Sequence, residues 1–351
     1  MSARLWLGAV AAFGLALCGV ALTMDAHAAM SAYLAAASTI AAIPMGALAV
    51  LLVTYLVRGA WSEDLHAPLM AAARMLPAAG LLFLPIFALL SHLYPWAAHG
   101  EAAGFRSVYL TPWFFVLRSV AYFAALSAIV LWAGRAWGDT GRMVRAASAG
   151  LIVYAILGSL SGIDWIESLT PDFHSSAFGL MALAFQTLAG FAFAVAVLLA
   201  RAKPGSTHRY GALMLSMLLT WAYLQAMQFI IVWAGNIPEE VSWYIARSRG
   251  PWAAILWTLA LLQFVVPFFA LLSSSIRNGR TAVLVIALAT LALRYLEALW
   301  LVLPATHAQG TALWLSLPGA AMAVAGLWLL AFEAAWSRID SEATRHEGAS
   351  A

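Results

Sequence analysis

Ten apolar stretches alternate with short connections rich in Arg, Pro and Gly, and together they account for most of the 351 residues. They run over about 5–23, 31–57, 75–95, 113–134, 143–163, 175–200, 210–234, 252–276, 281–303 and 312–336. Each is close to or above the roughly 20 apolar residues that a helix needs to cross hydrocarbon. Lipid offers the backbone no hydrogen-bond partners, so a spanning segment of this kind must be helical. The expected fold class is an all-α integral membrane protein with ten transmembrane helices. The first stretch has some features of a secretory leader: Arg4, an apolar run and Ala26-His27-Ala28. Its run exceeds the usual length of about 7–15 residues, and Leu15-Ala16-Leu17-Cys18 lacks the small residue expected before a lipoprotein cysteine. It is read as a retained helix.

A faint duplication divides the middle of the chain. Pro112-Trp113 opens the fourth span and Pro251-Trp252 the eighth, while acids close the fifth (Asp164, Glu167) and the ninth (Glu297). This predicts two parallel four-helix bundles, helices 2–5 and 6–9, flanked by helices 1 and 10. The corresponding divisions are 1–30, 31–170, 171–305 and 306–337, with a tail at 338–351. Coincidence is the competing explanation, since Pro-Trp pairs are common at membrane interfaces.

Basic residues orient the bundle. Arg4, Arg58, Arg74, Arg135, Arg142, Arg145, Arg201, Lys203, Arg209, Arg277, Arg280, Arg338 and Arg345 fall on the N-terminal side, against Arg106, Arg247 and Arg249 opposite. By the positive-inside rule both termini are cytoplasmic, and the loops beginning near Tyr94, Asp164, Asn236 and Pro304 face outward.

Composition narrows the function. Hydrophobic residues make up 64% and charged residues 9%, against about 25% charged in soluble domains. The net charge of +3 is spread over short loops and gives no footprint for nucleic acid. A single cysteine, Cys18, excludes an intrachain disulfide and a self-contained cysteine-ligated cluster. His27, His66, His92, His99, His174, His208, His307 and His346 fall in loops, tails or helix ends, so no deep pair is expected to ligate haem and no metal site is expected. Phosphate loops, zincin motifs and nucleophile elbows are missing from the sequence. The 16 tryptophans read as an interfacial aromatic belt rather than a cofactor box.

The chemistry therefore rests on a few polar residues at membrane depth, where a bare charge costs about 2.5–3.5 kcal/mol even on the lenient insertion scale. Arg118, Gln225, Gln228, Arg294 and Glu297 lie some five to nine residues below the outer ends of their helices, and Asp164 and Glu167 at such an end. The inner halves are almost wholly apolar, which predicts a polar cavity open to the outer side and not a through-pore. Arg294 and Glu297 are three apart, as are Gln225 and Gln228, and so share helical faces. Arg118 needs an acid from another helix, and Asp164 is nearest in depth. His174, beside Asp172 and Asp164 in one outer loop, is a candidate proton relay. Simple helix-gluing by these pairs is the alternative.

Several segments together resemble a known family. They are Gly162-Ile163-Asp164-Trp165-Ile166-Glu167-Ser168-Leu169 with Pro171 and Phe178-Gly179; Trp221-Ala222-Tyr223-Leu224, Gln228-Phe229 and Asn236-Ile237-Pro238-Glu239-Glu240; Pro112 to Arg118; Pro267-Phe268; and Arg294 to Pro304. These resemble the NrfD-like membrane subunits of bacterial alternative complex III, the F-type in particular, with Glu167 and Glu297 as departures from an apolar residue and an aspartate. The resemblance implies ten helices in two bundles within a quinol:cytochrome c oxidoreductase of the bacterial inner membrane. The ligand would be quinone or quinol. Iron–sulfur clusters and c-type haems would sit on partner subunits, beside an NrfD-like sister. Its candidate residues are Arg118, Asp164, His174, Gln228, Glu239, Glu240, Arg294 and Glu297. The expected role is a non-catalytic or co-catalytic subunit that supplies a proton route or a quinone-side cavity. The rivals are a secondary transporter for a small anion, with Arg118 and Arg294 as ligands, and a structural anchor for peripheral redox subunits.

Overall fold

A computed structural model describes residues 3–100, 104–201 and 207–350, with only the backbone of Ala3 and 338–350 described. Lys203 and the side chains of Arg338, Arg345 and His346 therefore lie outside the described residues. Among the described residues there is no strand, and ten helices are long and apolar enough to cross a membrane. They are α1 (Ala3–Met24), α2 (Ala26–Leu56), α3 (Ala60–Ala88), α4 (Pro112–Ala136), α5 (Thr140–Trp165), α6 (Phe178–Arg201), α7 (His208–Gly235), α8 (Pro251–Leu272), α9 (Arg280–Thr306) and α10 (Thr311–Ser350).

Local chemistry sets their ends. Asp25 and Asp139 cap α2 and α5 by accepting from the backbone N–H groups of Ala28 and Arg142. Pro112 and Pro251 open α4 and α8 at positions where a missing N–H costs nothing. Asn236 and His307 close α7 and α9 in the left-handed region, with φ of 49° and 53°.

Contacts run within each group of four spans and also extensively between α2 and α6. Helices α2, α3, α4 and α5 pack as one bundle, α6, α7, α8 and α9 as another, and α1 pairs with α10 on the flank of α2. The bundles join where α2 crosses α6, at two glycines. A Cβ on Gly46 would lie 1.7 Å from the Gln186 carbonyl oxygen, and one on Gly190 would lie 2.1 Å from the Ala47 nitrogen. Without side chains the two backbones approach closely, as small residues allow between membrane helices. At one end of the molecule His27 adds a second tie. Its Nδ1 lies 2.5 Å from the His92 carbonyl oxygen and its Nε2 lies 2.6 Å from that of Thr306, linking the ends of α3 and α9.

The third span departs from expectation. It begins at Ala60 rather than near residue 75, and runs as Ala60–Ala73, Leu76–Leu81 and Leu84–Ala88. Pro77 and Pro85 lack the N–H that would continue the preceding turn, so each breaks the helix and starts the next segment. The polar residues Glu63, Asp64 and His66 hid this helix in the hydrophobic pattern. Arg74 accordingly sits at a helix break and not in a loop, and His66 lies within the helix, its ring stacked 3.4 Å from that of Trp137.

Candidate functional site

Two buried acids, Asp164 in α5 and Glu297 in α9, have different surroundings. Asp164, at the last turn of α5, is fully buried. Arg118 of α4 donates to it twice, Nε to Oδ2 at 2.9 Å and Nη2 to Oδ1 at 3.1 Å, and the Tyr122 hydroxyl donates to Oδ2 at 2.6 Å. The remaining Arg118 Nη1 donates to the Tyr109 carbonyl at 2.7 Å, and the Tyr109 and Phe114 rings cover the guanidinium at 3.7 and 4.5 Å. The pairing expected from depth is thus present, in the bidentate geometry that suits Arg and carboxylate. Tyr109 lies outside the spans, and burial together with the nearby Asp164 charge pushes its hydroxyl up to about 12. Tyr94, Trp96 and Phe115 pack together at the same end of this bundle. The first acid is sealed.

Glu297, in α9, is exposed to a different environment. Its Oε1 accepts from Trp221 Nε1 at 3.1 Å and from Gln225 Nε2 at 2.6 Å, both on α7. Arg294 Nη1 approaches Oε2 to 2.5 Å, yet the angles do not make a hydrogen bond. Nε, Nη1 and Nη2 of a fully buried guanidinium, and Oε2 of its acid, therefore have no protein hydrogen-bond partner. The Trp221 and Phe185 rings also face the cation, at 4.7 and 5.1 Å. Buried charges without hydrogen bonds are costly, so such a group calls for an explanation.

That explanation lies in the space around it. Glu297 and Gln225 line a cavity of about 590 Å³ between α7, α8 and α9, within the roughly 300–1,000 Å³ of small-molecule sites. Its wall is aromatic: Trp221, Trp233, Trp257 and Trp300 contribute, with Phe229 and Phe264. The cavity expected from the polar residues is therefore largely apolar, with a polar floor. Four tryptophans that the sequence suggested were belt residues line it. On the other side, Glu297 borders a chamber of about 40 Å³ at the junction of the bundles, shared with Ser38 of α2 and Gln186 of α6. Such a volume holds about three waters at 10–15 Å³ each. Ser38 Oγ is buried without a protein partner, while Gln186 is bonded to Tyr154 at 3.0 Å and to Ser161 at 3.2 Å.

The wall on α8 owes its shape to a π-helical segment, Leu259–Val265. Pro267 lacks the N–H that the Gln263 carbonyl would accept in a regular helix, which explains the wider turn. Gln263 is fully buried there, its Nε2 donating to Thr290 Oγ1 at 3.4 Å, one turn from Arg294.

The other candidates separate from this site. Glu167 is buried and accepts from the Ser175 backbone N–H at 2.8 Å, and the Ser175 hydroxyl donates to Gln228 Oε1 at 2.7 Å, forming a short chain at the ends of α5, α6 and α7. His174 turns away from Asp164: its Nε2 lies 2.5 Å from Arg106 Nη2 and its surroundings are exposed. Glu239 and Glu240 lie in the first turn of the helix Pro238–Arg247, suited to its N-terminal dipole, and line neither cavity. Arg118 and Arg294 pair with separate acids, Asp164 and Glu297.

Sequence reasoning missed several members. Trp221 and Tyr122 each sit one turn from a recognised residue, Gln225 and Arg118, and helical spacing alone would have found them. Arg247 gave no signal. It is buried, donates to the Trp243 and Leu301 carbonyls at 3.0 and 2.7 Å, and lies over the Trp243 ring at 3.5 Å. Burial lowers it to about 9, which leaves it cationic at neutral pH. It fastens the helix Pro238–Arg247, whose Tyr244 closes one side of the large cavity, onto α9.

No group of three or more His, Cys, Asp or Glu side chains among the described residues is placed to hold a metal ion. No protein-family model matches the chain, and no curated protein matches it.

Proposed function

We propose that this chain is a membrane subunit of a quinol-oxidising electron-transfer complex of the bacterial inner membrane, with both termini cytoplasmic. In this reading the large cavity over Glu297 receives the quinol head group. One observation carries the proposal: an aromatic cavity of about 590 Å³ whose floor is a buried carboxylate backed by a guanidinium with unpartnered donors. Flat aromatic walls suit a planar ring, and a buried acid with a free oxygen suits a hydroxyl that gives up its proton.

The geometry supports one division of labour. Glu297 Oε2 takes the proton, and Arg294, one turn away on the same helix, stabilises the charge that Glu297 carries between transfers. Gln225 and Trp221 hold Oε1 and so orient the group. The small chamber with Ser38 and Gln186 offers the proton a way on from Glu297. Electrons leave through redox centres on partner subunits. Asp164, saturated by Arg118 and Tyr122, has a structural role.

Gentle-detergent purification of the tagged chain, followed by mass spectrometry and a quinol:cytochrome c assay, tests the proposal. Co-purification of iron–sulfur and c-haem subunits with quinol oxidation is expected. A chain isolated without redox partners, and complemented by none, contradicts it.

A further inference from the structure

A second cavity, of about 230 Å³, lies away from Glu297 in the cleft between α9 and α10. Both helices pack on α2, but against each other they make little contact. Ile40 and Ile43 of α2 and Phe193 of α6 form the floor, and Leu291 and Leu329 the two sides. Its hydroxyls are engaged internally: Thr39 donates to the Ala35 carbonyl at 2.8 Å and Tyr295 to that of Leu317 at 2.7 Å. The buried Trp328 indole N–H is the one free donor on the wall among the described lining residues. An apolar cleft on a lipid-embedded flank is filled by hydrocarbon, because water gains too few partners there.

Charge says which hydrocarbon. From this cavity an aromatic ladder descends: Phe193 against Trp328 and Phe332 at 5.0 Å each, then Phe332 against Trp336 at 5.9 Å. It ends under Arg201, whose guanidinium lies 5.2 Å from the Trp336 ring and pairs with Glu333. Arg4 donates to Ser337 Oγ at 2.8 Å, and Arg280 donates to the Leu199 carbonyl beside Arg201. Among the described side chains, three arginines and one carboxylate thus gather at the helix ends. Arg201 lies eight residues, about 12 Å, beyond Phe193. Basic clusters between helices at the inner face suit anionic head groups, and a tryptophan at that level suits the interface.

We propose that this cleft binds an anionic phospholipid, with its phosphate at Arg201, Arg4 and Arg280 and one acyl chain in the cavity between α9 and α10. The lipid would wedge α10, and through it α1, against the two bundles. This site is independent of the quinol reading.

Native mass spectrometry of the delipidated full chain, titrated with dioleoyl-phosphatidylglycerol or dioleoyl-phosphatidylcholine, tests it. Preferential retention of phosphatidylglycerol is expected, falling about fivefold for each of Arg201→Gln and Arg280→Gln at roughly 1 kcal/mol per basic residue. Ala325→Trp, which fills the cavity, should lower retention of both lipids. Glycerol 1-phosphate, which has the anion but no tails, should not displace the lipid. Equal retention of the two lipids by the wild-type chain, a result that needs no variant, overturns the proposal. Displacement by glycerol 1-phosphate overturns it too, since the anion alone would then be the ligand.

Discussion

Asp164 and Glu297 each place a carboxylate inside a helical bundle, and their neighbours give them opposite properties. Every oxygen of Asp164 is matched by a donor from Arg118 or Tyr122. Removing its charge leaves a buried guanidinium unpaired, a loss of about 3–5 kcal/mol for a buried pair. Asp164→Asn is therefore expected to cost most of the folded yield and to lower the melting temperature in a thermal-shift assay. Glu297→Gln also removes the counter-charge of a buried guanidinium, but Arg294 has no hydrogen bond to lose and Trp221 and Gln225 still find an acceptor, so it is expected to cost less folded yield than Asp164→Asn. Its effect belongs to turnover: if proton transfer at Glu297 contributes a typical 10²–10⁴-fold, quinol oxidation by the assembled complex falls by about that factor. Comparing the two variants for yield and activity separates a structural acid from a functional one. Loss of folding in both, or of activity in neither, contradicts the assignment.

Helices in this chain are shaped as much by Gly and Pro as by hydrophobicity. At the α2–α6 crossing a Cβ on Gly46 would overlap the Gln186 carbonyl, so Gly46→Val is expected to separate the bundles and give aggregated protein on size-exclusion chromatography. Pro267→Ala acts in the opposite sense. It restores an N–H to α8, and the π segment that carries Gln263, Leu259 and Phe264 is expected to tighten towards α-helix. The protein should remain stable while its affinity for a quinone analogue, followed by isothermal titration, falls several-fold; an unchanged affinity would show that the π segment does not shape the cavity.

The whole molecule was legible from sequence in its broad plan. Apolar runs of about twenty residues give the number of spans, depth along the helices pairs Arg118 with Asp164, and three-residue spacing on one face pairs Arg294 with Glu297. Helix α3 was misplaced because Glu63, Asp64 and His66 interrupt the apolar signal while Pro77 and Pro85 divide what remains. The aromatic lining of the large cavity was not legible, because it depends on the spacing of α7, α8 and α9 around Glu297. Trp233 and Trp257 look like interfacial tryptophans until that spacing is known. Arg247 was hidden for the same reason: its burial depends on how the helix Pro238–Arg247 folds back onto α9.

The most direct test of the quinol reading is photoaffinity labelling of the assembled complex in native membranes with azido-ubiquinone and azido-menaquinone, followed by peptide mapping of this chain. Adducts within 221–233 or 251–264, competed away by the unlabelled quinone, are the expected result. Specific labelling confined to other helices or to a partner subunit would contradict the assignment of the Glu297 cavity.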